Sequence, residues 1–555
     1  MIIEVVGEVF MPRLMSLIID SGIATGDKAY IIKAGLSMIG VAIMMMAGGI
    51  LGNYCAVRAS IGFSSDLRQD LFNKIQRFSF KNIDSISTAS LITRLTNDTN
   101  QLQHIIRMAL VMLLRSPGLL IGALIMAISI NARLAIVIGV VIPVLAFAII
   151  MIMTKAFPRF NIMQKKLDNL NRSIQENITN VRVVKSFVRE DFEKEKFATS
   201  NTDLRDSTLK AMRTVIKNGP IMTLMMNITT IAVLWFGGNF VMQGSLEIGE
   251  LAAFTTYIVQ ILMSLMMVSM IILQASRALA SSRRIKEVLL TVSDISDENA
   301  LQKDKEVTEG KVEFKNVFFA YAEGSANVLE DISFVVNPGE TVGILGATGS
   351  GKTSLVGLIP RLYDVTDGAV LVDGVDVRDY SLFNLREGVG MVLQKNTLFS
   401  GTIEENLLWG KEDATEDEII AASTYSQAHS FISSFTDGYD TELGQGGVNV
   451  SGGQKQRICI ARALIKKPRI LILDDSTSAV DTATEQKIRE AFSNELSGTT
   501  KIIIAQRISS VTDCDKIIVI DDGSIVGEGT HETLLKDNAY YQEIYYSQRD
   551  KEADE

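Results

Sequence analysis

At 555 residues, 47% apolar and 21% charged, with a positive mean hydropathy, the chain is too apolar for a purely soluble protein of its size, so part of it belongs in a membrane. Its net charge of -10, with Lys and Arg gathered in polar connections of the first half, argues against a nucleic-acid surface. Cys55, Cys459 and Cys514 lie far apart without metal-ligand spacing, which argues against a disulfide framework or zinc site, and His104, His429 and His531 form no triad or ligand pair.

In chain order, the opening segment 1–23 reads as a weak first span, because Glu4, Glu8 and Arg13 interrupt its apolar run. Five stronger runs follow: "AGLSMIGVAIMMMAGGILGNYCAV", "MALVMLLRSPGLLIGALIMAISI" (interrupted by Arg115), "LAIVIGVVIPVLAFAIIMIMT", "PIMTLMMNITTIAVLWFGGNFVM" and "LAAFTTYIVQILMSLMMVSMIILQ". Each is long enough to cross a bilayer, which takes about 20 helical residues. Charges at Glu4, Glu8, Arg13 and Arg115 are costly in hydrocarbon; they line a cavity, pair with one another, or reach an interface. Short connections around "ATGDKAY", "NAR" and "QGSLEIGE" alternate with long, basic ones over 58–107 and 155–217, which the positive-inside bias places in the cytoplasm. Helical spacing through "LRQDLFNKIQRF" and "LDNLNRSIQENITNVRVVKSF" predicts that the membrane helices continue into the cytosol. Methionines between Met222 and Met270 suit varied apolar ligands or, equally, lipid and helix packing, so none is assigned to binding.

After "SSRRIKEVLL" the polar, acidic stretch 291–310 reads as a linker. From 311 to 547, short β-rich runs alternate with helical segments, the pattern of an α/β domain, and 548–555 is a charged tail. The fold expected is an all-α, six-span transmembrane domain over 1–290 followed by an α/β P-loop NTPase domain.

Within that domain, "GILGATGSGKTS" fits G-x-x-x-x-G-K-[ST] between a strand and a helix. Gly346, Gly349, Ser350 and Gly351 let backbone N–H groups wrap phosphates, Lys352 reaches the β- and γ-phosphates, Thr353 offers its hydroxyl to Mg²⁺, and Ser354 opens the helix. The run "ILILDDSTSAVD" ends a strand in two acids. Asp474 is the metal-holding acid; Asp475 either polarises the attacking water as a general base or is a solvated strand end.

The turn "NVSGGQKQR", with Ser451, Gly452, Gly453 and Gln454, makes the second domain resemble the nucleotide-binding domain of an ATP-binding cassette (ABC) transporter. With "LITRLTND", "NVRVVKSFVRE" and six spans, nearly the whole chain resembles an ABC exporter half-transporter. The resemblance implies that Tyr321 stacks on adenine, though a strand-end aromatic on the core is the plainer reading. It makes Gln394, in "GMVLQKNTLFSGTIEENL", the Q-loop residue at the metal and lytic water, and Asp481 the D-loop acid at a dimer seam. Coupling helices are expected near "FSFKNIDS" and "NVRVVKSFV". A basic amphipathic segment and a longer first span would precede Met1 in the family pattern, about 20 residues more.

Three positions depart from the family. Asp475 stands where hydrolysing members have Glu, Gln506 in "IIIAQRISS" where they have the switch histidine, and Gln445 in "TELGQGG" where many have Glu. An aspartate carboxylate sits about 1 Å short, a misplacement worth on the order of 100-fold in rate. Gln506 hydrogen-bonds but never becomes an imidazolium. In this superfamily each ATP lies between the P-loop of one nucleotide-binding domain and the signature of another. The resemblance therefore implies one subunit of a heterodimeric bacterial multidrug exporter: its own site binds ATP and Mg²⁺ but hydrolyses poorly, and its Ser451–Gly453 turn completes the site of a second half-transporter carrying the Glu and His. A multi-pass protein of the cell (inner) membrane with a cytoplasmic nucleotide domain is expected, in contact with membrane lipid and a small hydrophobic or amphipathic cargo, with no nucleic-acid partner. The alternatives are a homodimeric lipid or peptide exporter and a regulatory, channel-like ABC protein.

Overall fold

The computed structural model describes residues 1–322, 324–475 and 480–553; the side chains of 269–270, 272–277, 482 and 549–553, Met270 among them, lie outside that description. The chain forms two compact units, Met1–Ile75 with Ala89–Leu290, and Gln76–Thr88 with Thr291–Glu555.

The first unit is helical. The Ile2–Leu17 helix runs on as π-helix over Ile18–Ile23, and the Lys28–Gln76, Thr88–Ile130, Ala132–Thr179, Glu190–Met242 and Ile248–Leu290 stretches follow. Among the described residues five helices are long and apolar enough to cross a membrane. The opening one is not counted with them; it carries Glu4, Glu8 and Arg13. At 1.5 Å per residue, the 49-residue Lys28–Gln76 helix is about 73 Å long, more than twice a hydrocarbon layer, so its remainder enters water. Ile32, Leu36, Ile39 and Ile43 along it are all exposed at helical spacing, the reverse of a water-soluble helix. Inside, Leu134, Ile138, Leu145, Val233, Phe254 and Tyr257 form the core.

The charges in these helices pair. Arg115 bridges Glu4 at 3.0 Å and Glu8 at 3.2 Å, and Arg13 meets Glu250 at 2.9 Å. Nearer the cytosolic ends, Asp98 accepts hydrogen bonds from Ser281 (2.8 Å) and Arg284 Nε (2.7 Å), and Arg94 pairs with Glu287 at 2.9 Å, fastening the π-helical "RLTND" stretch to the last helix. Val181–Ser186 is a short helix at the turn between two long ones, and Val181, Val183, Phe187 and Val188 around it are exposed.

The second unit contains the strands β1 (Val312–Phe319), β2 (Leu329–Val336), β3 (Thr341–Gly346), β4 (Asp367–Val372), β5 (Val375–Asp376), β6 (Val389–Val392), β7 (Gly401–Thr402), β8 (Glu442–Leu443), β9 (Ile470–Asp474), β10 (Thr500–Ala505), β11 (Lys516–Asp521) and β12 (Ser524–Gly529). A mixed six-stranded sheet, ordered β12-β11-β3-β10-β9-β6, is parallel except at its β11/β12 edge; β2-β1-β4-β5 form an antiparallel sheet and β7 pairs with β8. Strand β9 is buried along its whole length because it packs on both faces: Ile470 and Ile472 enter one core, Leu471 and Leu473 the other.

Two stretches behave unlike their composition. The polar segment 291–310 is fastened to the domain, with Asp373 accepting from the backbone N–H of Thr308 (2.8 Å), Glu309 (3.0 Å) and Lys311 (2.8 Å). Gln76–Thr88, though within 1–290, packs with the second unit: its short Phe80–Ile86 helix, capped by Ser79, sets Asp84 to accept from the Tyr363 hydroxyl at 3.2 Å and Phe80 beside the Tyr363 ring.

Candidate nucleotide site

The loop after β3 turns where only glycine fits. A Cβ on Gly346 would collide with the Ile520 carbonyl, Gly349 has φ of 90°, and Gly351, at φ 95°, would place a Cβ 2.9 Å from the Val328 carbonyl. The helix Lys352–Gly357 starts there, with Ser350 and Ser354 buried. Lys352 arches over its own loop, donating to the carbonyls of Gly346 (2.9 Å) and Ala347 (2.6 Å) and to Ser350 Oγ (3.3 Å). Burial pushes its ammonium below the usual lysine range, while the charges of Asp474 and Asp475 push it back up.

Asp474 closes β9 and is 1% exposed. Its Oδ1 accepts from Thr353 Oγ1 at 3.2 Å; among the described residues its buried Oδ2 has no donor. Burial raises the carboxyl above the ordinary aspartate range, partly opposed by the Thr353 hydrogen bond. A hydroxyl and a carboxylate side by side, with one oxygen orphaned, are hard-oxygen donors of the kind Mg²⁺ takes, so the residues fit that ion.

Asp475 follows with φ of 48°. The parallel register of β10 on β9, with Ile504 opposite Asp474, carries the chain on to Gln506, whose Nε2 donates to Asp475 Oδ2 at 3.1 Å. The buried Gln456 side chain donates to the Asp475 carbonyl at 3.3 Å. Two of the departures from the family pattern are therefore in direct contact. Sequence reasoning missed Gln456, which no local signal marks.

Tyr321 follows β1 beside the P-loop helix. It packs edge-on against Phe319 and Tyr363, with centroids at 4.9 and 5.3 Å, yet stays 43% exposed, and its hydroxyl lies 2.7 Å from Ser354 Oγ on the P-loop helix. Tyr363, also missed, thus touches both Tyr321 and the Phe80–Ile86 helix. Gln394 is exposed just beyond β6, which pairs with β9, and among the described residues makes no hydrogen bond to Thr353 or Asp474.

Ser451 caps the Gly452–Ile465 helix through a reciprocal box, its N–H donating to Gln454 Oε1 at 2.8 Å and its Oγ accepting from Gln454 N at 3.3 Å. Ser451 and Gly452 are exposed, Gly453 half-buried, and among the described residues no hydrogen bond joins this turn to Lys352, Thr353 or Asp474 of the same chain. Asp481 caps the Thr482–Glu495 helix by accepting from Thr484 N at 2.9 Å, which lowers its carboxyl below the usual range. Gln445 begins a tight turn in which Gly446 and Gly447 have φ of 67° and 64°.

Two family matches divide the chain in the same order: the ABC transporter transmembrane region over residues 1–265 and the ABC transporter family over 329–478. The chain is similar, at 40% identity over 100% of its length and 96% of the relative's, to YfiB, an uncharacterized ABC transporter ATP-binding protein of Bacillus subtilis (strain 168). It is 33% identical to an ATP-dependent lipid A-core flippase of Syntrophus aciditrophicus (strain SB), covering 94% of this chain and 84% of that one. Among solved structures, a bacterial Atm1-family ABC exporter with ATP bound superposes with a TM-score of 0.84 at 25% identity, over 98% of this chain and 96% of that one. A helical membrane region, a P-loop domain with a mixed sheet and full-length likeness agree: the chain belongs to the ABC transporter family, as a membrane-spanning half-transporter of the exporter type with a transport ATPase domain.

Proposed function

We propose that this chain is one half of a heterodimeric exporter of hydrophobic or amphipathic compounds, binding ATP with Mg²⁺ at its own P-loop and hydrolysing it slowly there. The observation that carries this is the hydrogen bond from Gln506 Nε2 to Asp475 Oδ2 at 3.1 Å. A general base needs a carboxylate oxygen free to take a proton from water; here a short side chain has one oxygen engaged by an amide that carries no charge to relay. Lys352 and the backbone N–H groups of Gly349 and Gly351 would hold the phosphates, Tyr321 would stack on adenine, and Thr353 and Asp474, with Gln394 moving in, would hold the metal. When bound, Mg²⁺ supplies charge neutralisation at the phosphates.

A second chain is supported by two features. The Ser451–Gly453 turn, exposed at Ser451 and Gly452, has among the described residues no hydrogen bond to the P-loop of its own chain, as a donor to another chain's nucleotide must, and Asp481 is exposed where a seam would run. The apolar tip of Val181, Val183, Phe187 and Val188 calls for cover from a partner. Likeness to a lipid A-core flippase favours a second reading, a homodimer moving lipid.

Phosphate release by the full chain in lipid nanodiscs, alone and with any half-transporter that co-purifies from its host, separates them. The heterodimer reading expects slow release alone and turnover about 100-fold faster with the partner; brisk release by the chain alone establishes the homodimer.

A further inference from the structure

Arg115 forms ion pairs with Glu4 (3.0 Å) and Glu8 (3.2 Å), so this group of charges keeps one net negative charge. Counted at 1.5 Å per residue from the short connections, Gln260, Glu8 and Arg115 lie about 18–24 Å into a hydrocarbon layer about 30 Å thick, and Glu4, about 28 Å in, lies close to its far boundary. An excess carboxylate at that depth is expensive unless something cationic shares it.

Its acceptors are also in surplus. Glu4 Oε2 is buried and among the described residues accepts no hydrogen bond, with the carboxylate pressed toward Gly49, where an added Cβ would lie 3.6 Å from that oxygen. Gln260 spends its amide on the Glu8 carbonyl at 2.9 Å, and among the described residues its own buried Oε1 has no donor. Two orphaned acceptors and one surplus negative charge call for the same thing: a cation with several N–H donors. Arg115 has its Nη atoms on the two carboxylates, and among the described residues its buried Nε is without an acceptor, so one orphaned donor stands against two orphaned acceptors and the acceptors remain in excess by one. Nor is the group sealed, because the side chains of Glu8 and Arg115 remain 27% and 30% exposed, enough for a ligand head to enter.

We propose that Glu4, Glu8, Arg115 and Gln260 form a recognition site for the ammonium group of a cationic amphipathic cargo. Glu4 and Gln260 provide the acceptors, and Arg115 holds the two carboxylates in place and restrains their charge. An ammonium has three donors and no acceptor, so it offers donors to such orphaned oxygens and neutralises the excess. The purpose of the site rests on the export reading above; its chemistry does not.

The test uses the full chain in nanodiscs and two fluorescent probes, daunorubicin, whose amino sugar carries a primary ammonium, and its neutral N-acetyl derivative, with binding to empty nanodiscs subtracted. The expected result is affinity for the ammonium form about tenfold above the neutral form. Glu4→Gln should bring that ratio close to one, and Gln260→Leu should lower it about threefold, while N-acetyldaunorubicin binds each variant within about twofold of the original chain, which also reports that the variants fold. Equal affinities in the original chain, no binding of either probe, or a preference that survives both substitutions would overturn the site and leave Arg115 a structural clamp. ATP-driven uptake into sealed inside-out vesicles by the complex with its co-purifying half-transporter distinguishes the two proposals: uptake of both probes without charge preference keeps export and removes the site. A charge preference in binding with no uptake keeps the site and removes export.

Discussion

Asp475 and Gln506 are 31 residues apart, and their contact carries the reading of a slow site. Because the amide occupies one carboxylate oxygen, lengthening the acid alone should help less than changing both. Asp475→Glu is expected to raise phosphate release by the isolated chain about tenfold, and Asp475→Glu with Gln506→His about 100-fold, measured under single-turnover conditions. Asp474 gives a prediction of opposite sign for stability. Its carboxyl is raised by burial, so the ionised form is the disfavoured one: the penalty is absent below the ordinary aspartate range and fully present once pH exceeds the raised value. Asp474→Asn should therefore raise the melting temperature in EDTA at neutral pH by about 2 °C, yet lose the stabilisation that Mg-ATP gives the original chain. A melting temperature lowered in EDTA would show that the carboxylate is well paired. The P-loop could be read from sequence because its glycines answer to local backbone geometry. The Gln506 contact could not, because it depends on β10 lying parallel to β9 in one register.

At the scale of elements, the same division between local and distant causes recurs. Strand β9 and the capped helices follow from neighbouring residues: four apolar residues in a row mark a strand buried on both faces, and Ser451 with Gln454 three places on is a capping box. The polar stretch 291–310 reads as a tether because its partner, Asp373, sits more than sixty residues away on a turn. Asp373→Ala removes one acceptor from three backbone N–H groups, and about 2 kcal/mol of local stability should go with it. Hydrogen exchange at Thr308, Glu309 and Lys311 should speed up about 30-fold while β9 amides are unchanged; unchanged exchange at those three would show that water serves them equally well. The segment Gln76–Thr88 is the same case, drawn to the second unit by the Asp84–Tyr363 hydrogen bond and the Phe80 ring, neither of which its own sequence announces.

For the molecule as a whole, exposed apolar surface is the informative quantity, because it says what must surround the chain. The Ile32, Leu36, Ile39, Ile43 stripe lies on a helix apolar enough to span a bilayer, and lipid satisfies it. The tip at Val181, Val183, Phe187 and Val188 is different: it joins Ala132–Thr179 to Glu190–Val215 beyond long, charged helical stretches, where water and not lipid is the neighbour. Four apolar side chains in water at one turn expect a protein surface, and exporter half-transporters act in pairs, so a second chain is the fitting cover. Val183→Asp with Phe187→Asp places charges on that tip without touching the P-loop or the membrane core. ATP binding by this chain, read with a fluorescent nucleotide, should stay within about twofold of the original, whereas transport by the paired complex should fall about 100-fold as nucleotide closure no longer reaches the spans. Transport that survives both charges would mean that the tip stays in water throughout the cycle, and that the partner grips the chain elsewhere.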